Sequence, residues 1–289
     1  MIYPEVDKLY KYQSYSTNSI ASLVNKVNWA ARPRTFNDPF DCAVSFIPDI
    51  DPKTFLKLLI EEAENNSDTF PSKAIESFEN ALDKELFGDK EDPRYVKICN
   101  LLAERFRDLV QDIGVVSLSE INDHILMWSH YAEQHKGFCI EYDRNPSNLL
   151  GDNNTLPVRY TNRLPVFSLQ SIVSSDLNNR KEYMRSLVLS KAQEWSYENE
   201  WRFINSRGDC LVELNADITA IIFGARMPQE HKSFLSQLLA RDNQDIKLKQ
   251  VELKADGFGL EIVDYKASLV PLENEPKKRK LENILNFDL

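Results

Sequence analysis

The sequence predicts an α+β fold: a mixed, mainly antiparallel sheet core carrying an inserted helical segment. Three observations predict it. Short β-prone runs recur between helical stretches without the regular rhythm of a doubly wound sheet. One stretch, 48–113, reads as helix from end to end. It also carries its own charge, 16 acidic against 9 basic residues, while the rest of the chain is nearly balanced. With 289 residues, 42% of them hydrophobic and 28% charged, the chain can bury a full-sized core. The expected organisation is one α+β domain over 1–272, with its helical insertion at about 48–113, and a C-terminal extension over 273–289.

The elements follow in order. Residues 8–12 form a strand candidate. A helix capped by Thr17 or Asn18 runs to about Val27, with Ile20, Leu23, Val24 and Val27 inside. Residues 27–31 read as a strand entering a turn at Arg32-Pro33. In the insertion, Phe55, Leu58 and Leu59 share a face, and Ile75, Phe78 and Leu82 recur at spacings of three and four. Ile98, Leu101, Leu102, Phe106, Leu109 and Val110 make a longer stripe. Breaks at Pro71, near Gly88 and at Pro93 divide this stretch into three helices. Strands are expected at 115–119, 137–142, 158–160, 200–204 and 218–223. Helices are expected at 125–133, 177–191 and 229–240. The tail, with Lys277-Lys278-Arg279-Lys280, reads as a solvated extension; a nucleic-acid contact is the alternative.

The formal net charge of −10 argues against a protein that binds nucleic acid simply by being basic. Most of it belongs to 48–113, so charge does not exclude an anionic ligand elsewhere. Glycine, at 8 residues, leaves little material for glycine-rich phosphate loops. Cys42, Cys99, Cys139 and Cys210 match no zinc-ligand spacing and are expected to stay reduced. No metal site is expected. No signal peptide is read at the start, and the longest apolar stretch, 218–227, is too short to span a bilayer. A cytoplasmic protein without membrane contact is expected.

Four clusters set polar groups among aromatic ones. In Tyr10-Lys11-Tyr12, ring faces and a cation suit one wall of a pocket; the alternative is an edge strand with Tyr packed inward. Phe36-Asn37-Asp38-Pro39-Phe40-Asp41 reads as a rigid turn, or as a turn offering Asp38 or Asp41 to a pocket. Ser117-Leu118-Ser119 precedes a helix holding Trp128, Ser129, His130 and Tyr131. His130 and His135 stand five apart, which does not suit a zinc helix, and no G-x-S-x-G is present. In Glu198-Asn199-Glu200-Trp201-Arg202, strand periodicity puts both glutamates on one face. They serve as stabiliser of a developing cation or general base, or they form a buried ion pair with Arg202 that locks the strand.

Together the clusters resemble a bacterial domain family of unknown function whose members include abortive phage-infection factors. The resemblance rests on 9–12, 36–41, 117–119, 126–132, 135–143 and 191–202, and spans roughly 9–204. More remotely, the order of an early Tyr10-Lys11-Tyr12 strand, then Ser117-Leu118-Ser119, then Glu198-Asn199-Glu200 is similar to ADP-ribosyltransferases. The first motif departs from that pattern, which carries Arg or His where this chain has Lys11 or Tyr12. This second resemblance implies a split-sheet core and NAD as substrate, with no metal. It implies Glu200, Glu198 and Tyr12 as catalytic residues. The NAD-binding residues would be Tyr10, Lys11, Asn37, Asp38, Ser117, Ser119, Trp128, His130, Tyr131 and Arg202. It further implies a toxin or anti-phage effector acting on a protein or nucleic-acid acceptor, with a cognate antitoxin as a second partner. The competing expectation is a non-enzymatic sensor that binds a nucleotide or protein in an aromatic pocket.

Overall fold

The computed structural model describes residues 3–65, 72–170, 185–241 and 245–266. Its centre is an eight-stranded sheet. Along the chain the sheet strands are β1 (Lys8–Gln13), β4 (Gly114–Ser119), β5 (Phe138–Asp143), β6 (Thr155–Pro157), β10 (Glu200–Asn205), β12 (Ile218–Phe223), β13 (Lys247–Leu253) and β14 (Leu260–Asp264). In space they run β14-β13-β12-β5-β1-β4-β10-β6. Only β12 and β13 pair parallel; the other neighbours are antiparallel. Three two-stranded ribbons accompany the sheet. They join β2 (Val27–Ala30) to β11 (Cys210–Glu213), β3 (Ser45–Ile47) to β8 (Val166–Ser168), and β7 (Arg159–Thr161) to β9 (Ser190–Ala192). The fold is therefore α+β with a mainly antiparallel sheet.

Strand alternation gives the sheet two different faces. Leu9, Val116, Leu118, Ile140, Trp201, Phe203 and Ile221 point to one, where Leu23 of α1 (Thr17–Val24) and Leu235 of α6 (Gln229–Arg241) complete the main core. Each large apolar side chain buried here contributes roughly 1.5–3 kcal/mol. The opposite face carries Tyr12, Cys139 and Ile222, covered by Met127 and Trp128 of α5 (Ile125–Tyr131). By the same alternation Tyr10, Ser117, Ser119, Glu200 and Arg202 belong to that second face. The acidic segment folds as α2 (Pro52–Asn65), α3 (Ser72–Asp83) and α4 (Pro93–Asp112), the three helices expected. Asp92 caps α4 by accepting from the Arg94 N–H, and Pro93 stands in the first turn, where its missing N–H costs nothing.

Several boundaries differ from expectation. The cap of α1 is Ser16, not Thr17 or Asn18, through a reciprocal box with Ser19. The helix stops at Val24 because Lys26 turns left-handed (φ 54°) and releases Val27 into β2. Helix α5 ends at Tyr131, short of 133, because Glu133, Gln134 and His135 are all left-handed, with φ of 50°, 55° and 68°. For residues with a Cβ such a run costs roughly 1–2 kcal/mol each. It is held by backbone bonds from Gln134 to Ser129, His135 to Trp128 and Gly137 to Ala132. The helix expected over 177–191 lies partly outside the described residues; at its end Ser190 and Lys191 belong to strand β9. The C-terminal extension and the Pro71 break lie outside the described residues as well. Among the described residues no helix is long and apolar enough to cross a membrane, and no group of three or more His, Cys, Asp or Glu is placed to hold a metal ion. The four cysteines are free thiols.

Candidate functional site

The sheet has one weak line. Strand β1 pairs with β5 along all six of its residues, and β10 pairs with β4 along six. Between β1 and β4 the ladder is a single pair, Tyr10 with Ser119. Beyond it the Lys11 ammonium takes the Ser117 carbonyl, at 3.2 Å, in place of a neighbouring strand. A cleft of about 320 Å³ opens at this fork. Its floor is Tyr10, Lys11 and Tyr12 of β1 with Ser117 and Leu118 of β4. Phe36, Asn37 and Asp41 come from the loop before β3, and Met127 and Tyr131 from α5. Lys191 of β9, Glu198 and Glu200 close it.

The acidic wall is a buried charge cluster. The Lys191 ammonium donates to Glu198 Oε2 at 2.5 Å and to Glu200 Oε2 at 3.0 Å, and stands 3.5 Å from Asp41 Oδ2. Arg202, fully buried, donates through Nε to Glu200 Oε1 at 2.9 Å and through Nη2 to both Asp41 oxygens at 2.8 and 2.7 Å. Tyr131 donates its hydroxyl to Glu198 Oε1 at 2.5 Å and accepts from the Asn37 amide at 3.4 Å. Strand periodicity does not bring the two glutamates together. Glu198 ends a 3₁₀ turn, Asn199 is left-handed (φ 42°), and only then does β10 begin. Asn tolerates that conformation better than most residues, and the kink aims both carboxylates at Lys191.

Counting charge separates the two glutamates. Three carboxylates share the two cations bonded to them, with Lys11 acting on Glu200 from further off. Arg202 is committed to Asp41 and Glu200, and Glu198 has Lys191 as its one bonded cation. Burial alone would raise Glu200, but Arg202, then Lys191 and bonds from Arg202 and Ser117, pull it down to about 2. Burial raises Glu198 above the usual carboxylate range against the pull of Lys191, and Glu200 adds to the rise. Burial lowers Lys11 to about 8, with Glu200 opposing. Burial would lower Lys191, yet Glu200, Glu198 and Asp41 hold it above its ordinary value. The shifts of Glu198 and Glu200 are opposed, so of the two carboxylates Glu198 holds a proton the more readily.

Of the thirteen residues singled out from sequence, Tyr10, Lys11, Tyr12, Asn37, Ser117, Tyr131, Glu198 and Glu200 line the cleft. Five do not. Asp38 is a turn former whose Oδ1 accepts from the Phe40 N–H, and the cleft carboxylate from that loop is Asp41. Ser119 is buried, donating to the Glu198 carbonyl at 2.6 Å, so it fixes the kink from behind. Trp128 is a core residue whose indole donates to the Asn122 carbonyl. His130 is exposed beside Tyr131 and Tyr197. Arg202 stands behind Glu200 and Asp41 and bonds both carboxylates without lining the cleft itself. Tyr12 contributes its ring, while its hydroxyl is spent on the Ile121 carbonyl at 2.9 Å. Sequence reasoning missed Lys191, the hub of the cluster. Its only signal was its place at the head of the 191–202 motif.

Residues 127–203 match a family model described as "Protein of unknown function (DUF2971)". That stretch contains Tyr131, Lys191, Glu198, Glu200 and Arg202, and leaves out β1, Asp41 and Ser117. No curated protein and no solved structure matches the chain.

Proposed function

We propose that the chain is an NAD-dependent ADP-ribosyltransferase, with the fork between β1 and β4 as its active site. One observation carries the proposal. Tyr10, Ser117 and Glu200 sit on three consecutive strands of the sheet and line one cleft, where Glu200 is held below the ordinary carboxylate value and Glu198 above it. Ligand pockets run to about 300–1,000 Å³, so a cleft of about 320 Å³ has room for one end of a dinucleotide. Tyr10, Tyr12 and Phe36 supply ring faces, and Lys11 a cation for the diphosphate.

The step balances as follows. The bond between the ribose C1′ and the nicotinamide nitrogen breaks, and its electron pair leaves with neutral nicotinamide. Glu200 stabilises the oxocarbenium-like centre by its fixed charge. A nucleophilic oxygen or nitrogen of the acceptor bonds to C1′ and passes its proton to the ionised carboxylate of Glu198. Lys191 holds both carboxylates in place, and Arg202 holds Glu200 from behind. The acceptor is a macromolecule, in keeping with the phage-defence effectors that the sequence resembles.

The test is direct. Purified protein with NAD releases nicotinamide, measured by chromatography, and Glu200→Gln abolishes the release. Unchanged release by that variant removes Glu200 from the mechanism. A second reading draws on the same cluster. Glu200 accepts from both Arg202 and Lys191 and is only 4% exposed, which suits a carboxylate that locks the strand of a ligand sensor. That reading predicts no nicotinamide release and a rise in Tm with bound nucleotide.

A further inference from the structure

We propose that a second cavity, between the end of β12, helix α6 and strand β13, binds the phosphate group of an anionic ligand. It measures about 580 Å³, and His135, Arg226, Lys232, Gln250, Glu252 and Leu253 lie in its wall. Two cations from separate elements line it with bonding capacity unspent. Arg226, in the turn after β12, is exposed; among the described residues its guanidinium has no acceptor, and only its backbone N–H is used, by the His135 carbonyl. Lys232 of α6 is 9% exposed and donates to Gln250 Oε1 at 3.2 Å, which occupies one of its three N–H groups. His135 is held through Nε2 by the Ser129 hydroxyl at 3.1 Å, and its Nδ1 is buried without a partner.

A phosphate satisfies both cations. Its oxygens accept from the guanidinium fork and from the ammonium, and such charge-assisted bonds are among the stronger ones. The carboxylate in the wall, Glu252, acts on Lys232 through space but does not contact it. It accepts from the Gln250 amide at 2.7 Å and forms no ion pair with Lys232, so Gln250 spaces the two charges apart. The left-handed run at Glu133, Gln134 and His135 fixes the imidazole at the rim, and Gly224 packs so closely on the His135 carbonyl that a Cβ there would lie 2.2 Å from it. The volume exceeds that of the phosphate itself and leaves space for an organic body against Leu253. The site shares no lining residue with the cleft at the fork, and it does not depend on the transferase reading.

Isothermal titration at constant ionic strength tests it, with inorganic phosphate and AMP as probes against a chloride background. Saturable one-site binding of phosphate is expected. Arg226→Gln and Lys232→Met should each weaken it about tenfold or more, the loss of one charge-assisted bond. Glu200→Gln should leave it unchanged. Tighter binding of AMP that Arg226→Gln also weakens makes the ligand a nucleotide, and equal binding makes it phosphate alone. The proposal fails if phosphate gives no saturable heat, or if Arg226→Gln, a change at an exposed side chain, binds like the parent protein. It also fails if Glu200→Gln removes the binding, since that would put the anion in the fork.

Discussion

Among the described residues the sheet buries a carboxylate cluster at Glu141 and another at Glu200, and of these two the second lines the cleft. Glu141 of β5 is 2% exposed, accepts from Lys8 at 2.5 Å and Lys249 at 2.9 Å, and takes a third bond from Thr219 at 2.7 Å. Glu200 is buried to the same degree and also holds two cations. The difference is in the surroundings. The side chains of Lys8 and Lys249 are 39% and 21% exposed and reach water on their own, whereas those of Lys191 and Arg202 are 5% and 0% exposed. Glu141 has more donors than it needs and does not line the cleft. Around Lys191 and Arg202 there are more carboxylates than charges to hold them. A buried ion pair is thus weak evidence of function by itself. A shortage of counter-charge at the wall of a cleft is stronger evidence, because it sets one group apart as the proton carrier.

The largest expected contrast is in stability. Arg202→Met leaves Asp41, Glu198 and Glu200 sharing Lys191 alone and should cost about 3–5 kcal/mol in urea unfolding, the penalty of stranding buried charge. Lys249→Met, in the solvent-reaching cluster, should cost about 1 kcal/mol or less. Equal costs would break the comparison. Next comes turnover: Glu200→Gln should lower kcat about 10²–10³-fold, and Glu141→Gln should leave it unchanged, both read by nicotinamide release.

Acid unfolding should separate the clusters more finely. Glu200 is depressed from 4.5 to about 2. Its contribution is therefore fully present above pH 4.5 and is lost as pH falls toward 2. By linkage it amounts to about 3 kcal/mol. Glu198 is raised, so its term has the opposite sign: it is present below pH 4.5 and lost as pH rises through its folded value. Glu198→Gln should consequently be better tolerated than Glu200→Gln, as measured by Tm at neutral pH. The smallest effect is at the cation of the floor. Lys11 loses its proton near pH 8, so KM for NAD should rise severalfold above that pH. Lys11→Met should show a raised KM with no such pH dependence.

The strands that carry the cleft were legible in the sequence. Tyr10 to Tyr12, Ser117 to Ser119 and Glu200 to Arg202 lie in runs whose alternation reports a half-buried sheet, and the order of the runs matches their order in space. The missing parts are those too short for a period to register. Strand β9 has three residues, and apolar neighbours from 187 to 189 let it pass as the end of a helix, which hid Lys191. Glu198 and Glu200 were expected side by side on one strand, and strand spacing gives the right pairing for the wrong reason. The left-handed Asn199 does the work, and one Asn among polar neighbours is no signal of a kink. Asp38 and Asp41 could not be told apart because both suit a turn; only the approach of Arg202, 161 residues further on, selects Asp41.

The single pair between β1 and β4 also has a mechanical meaning. Five strands lie on one side of Tyr10 and Ser119 and three on the other. Force or thermal motion across the sheet meets its lowest backbone resistance along that line, since every other junction in the sheet is laced by several pairs. Amide hydrogens facing the seam should exchange with solvent ahead of those inside β5 and β10. The protein would then yield first along the cleft, like a hinged book whose spine is a single stitch.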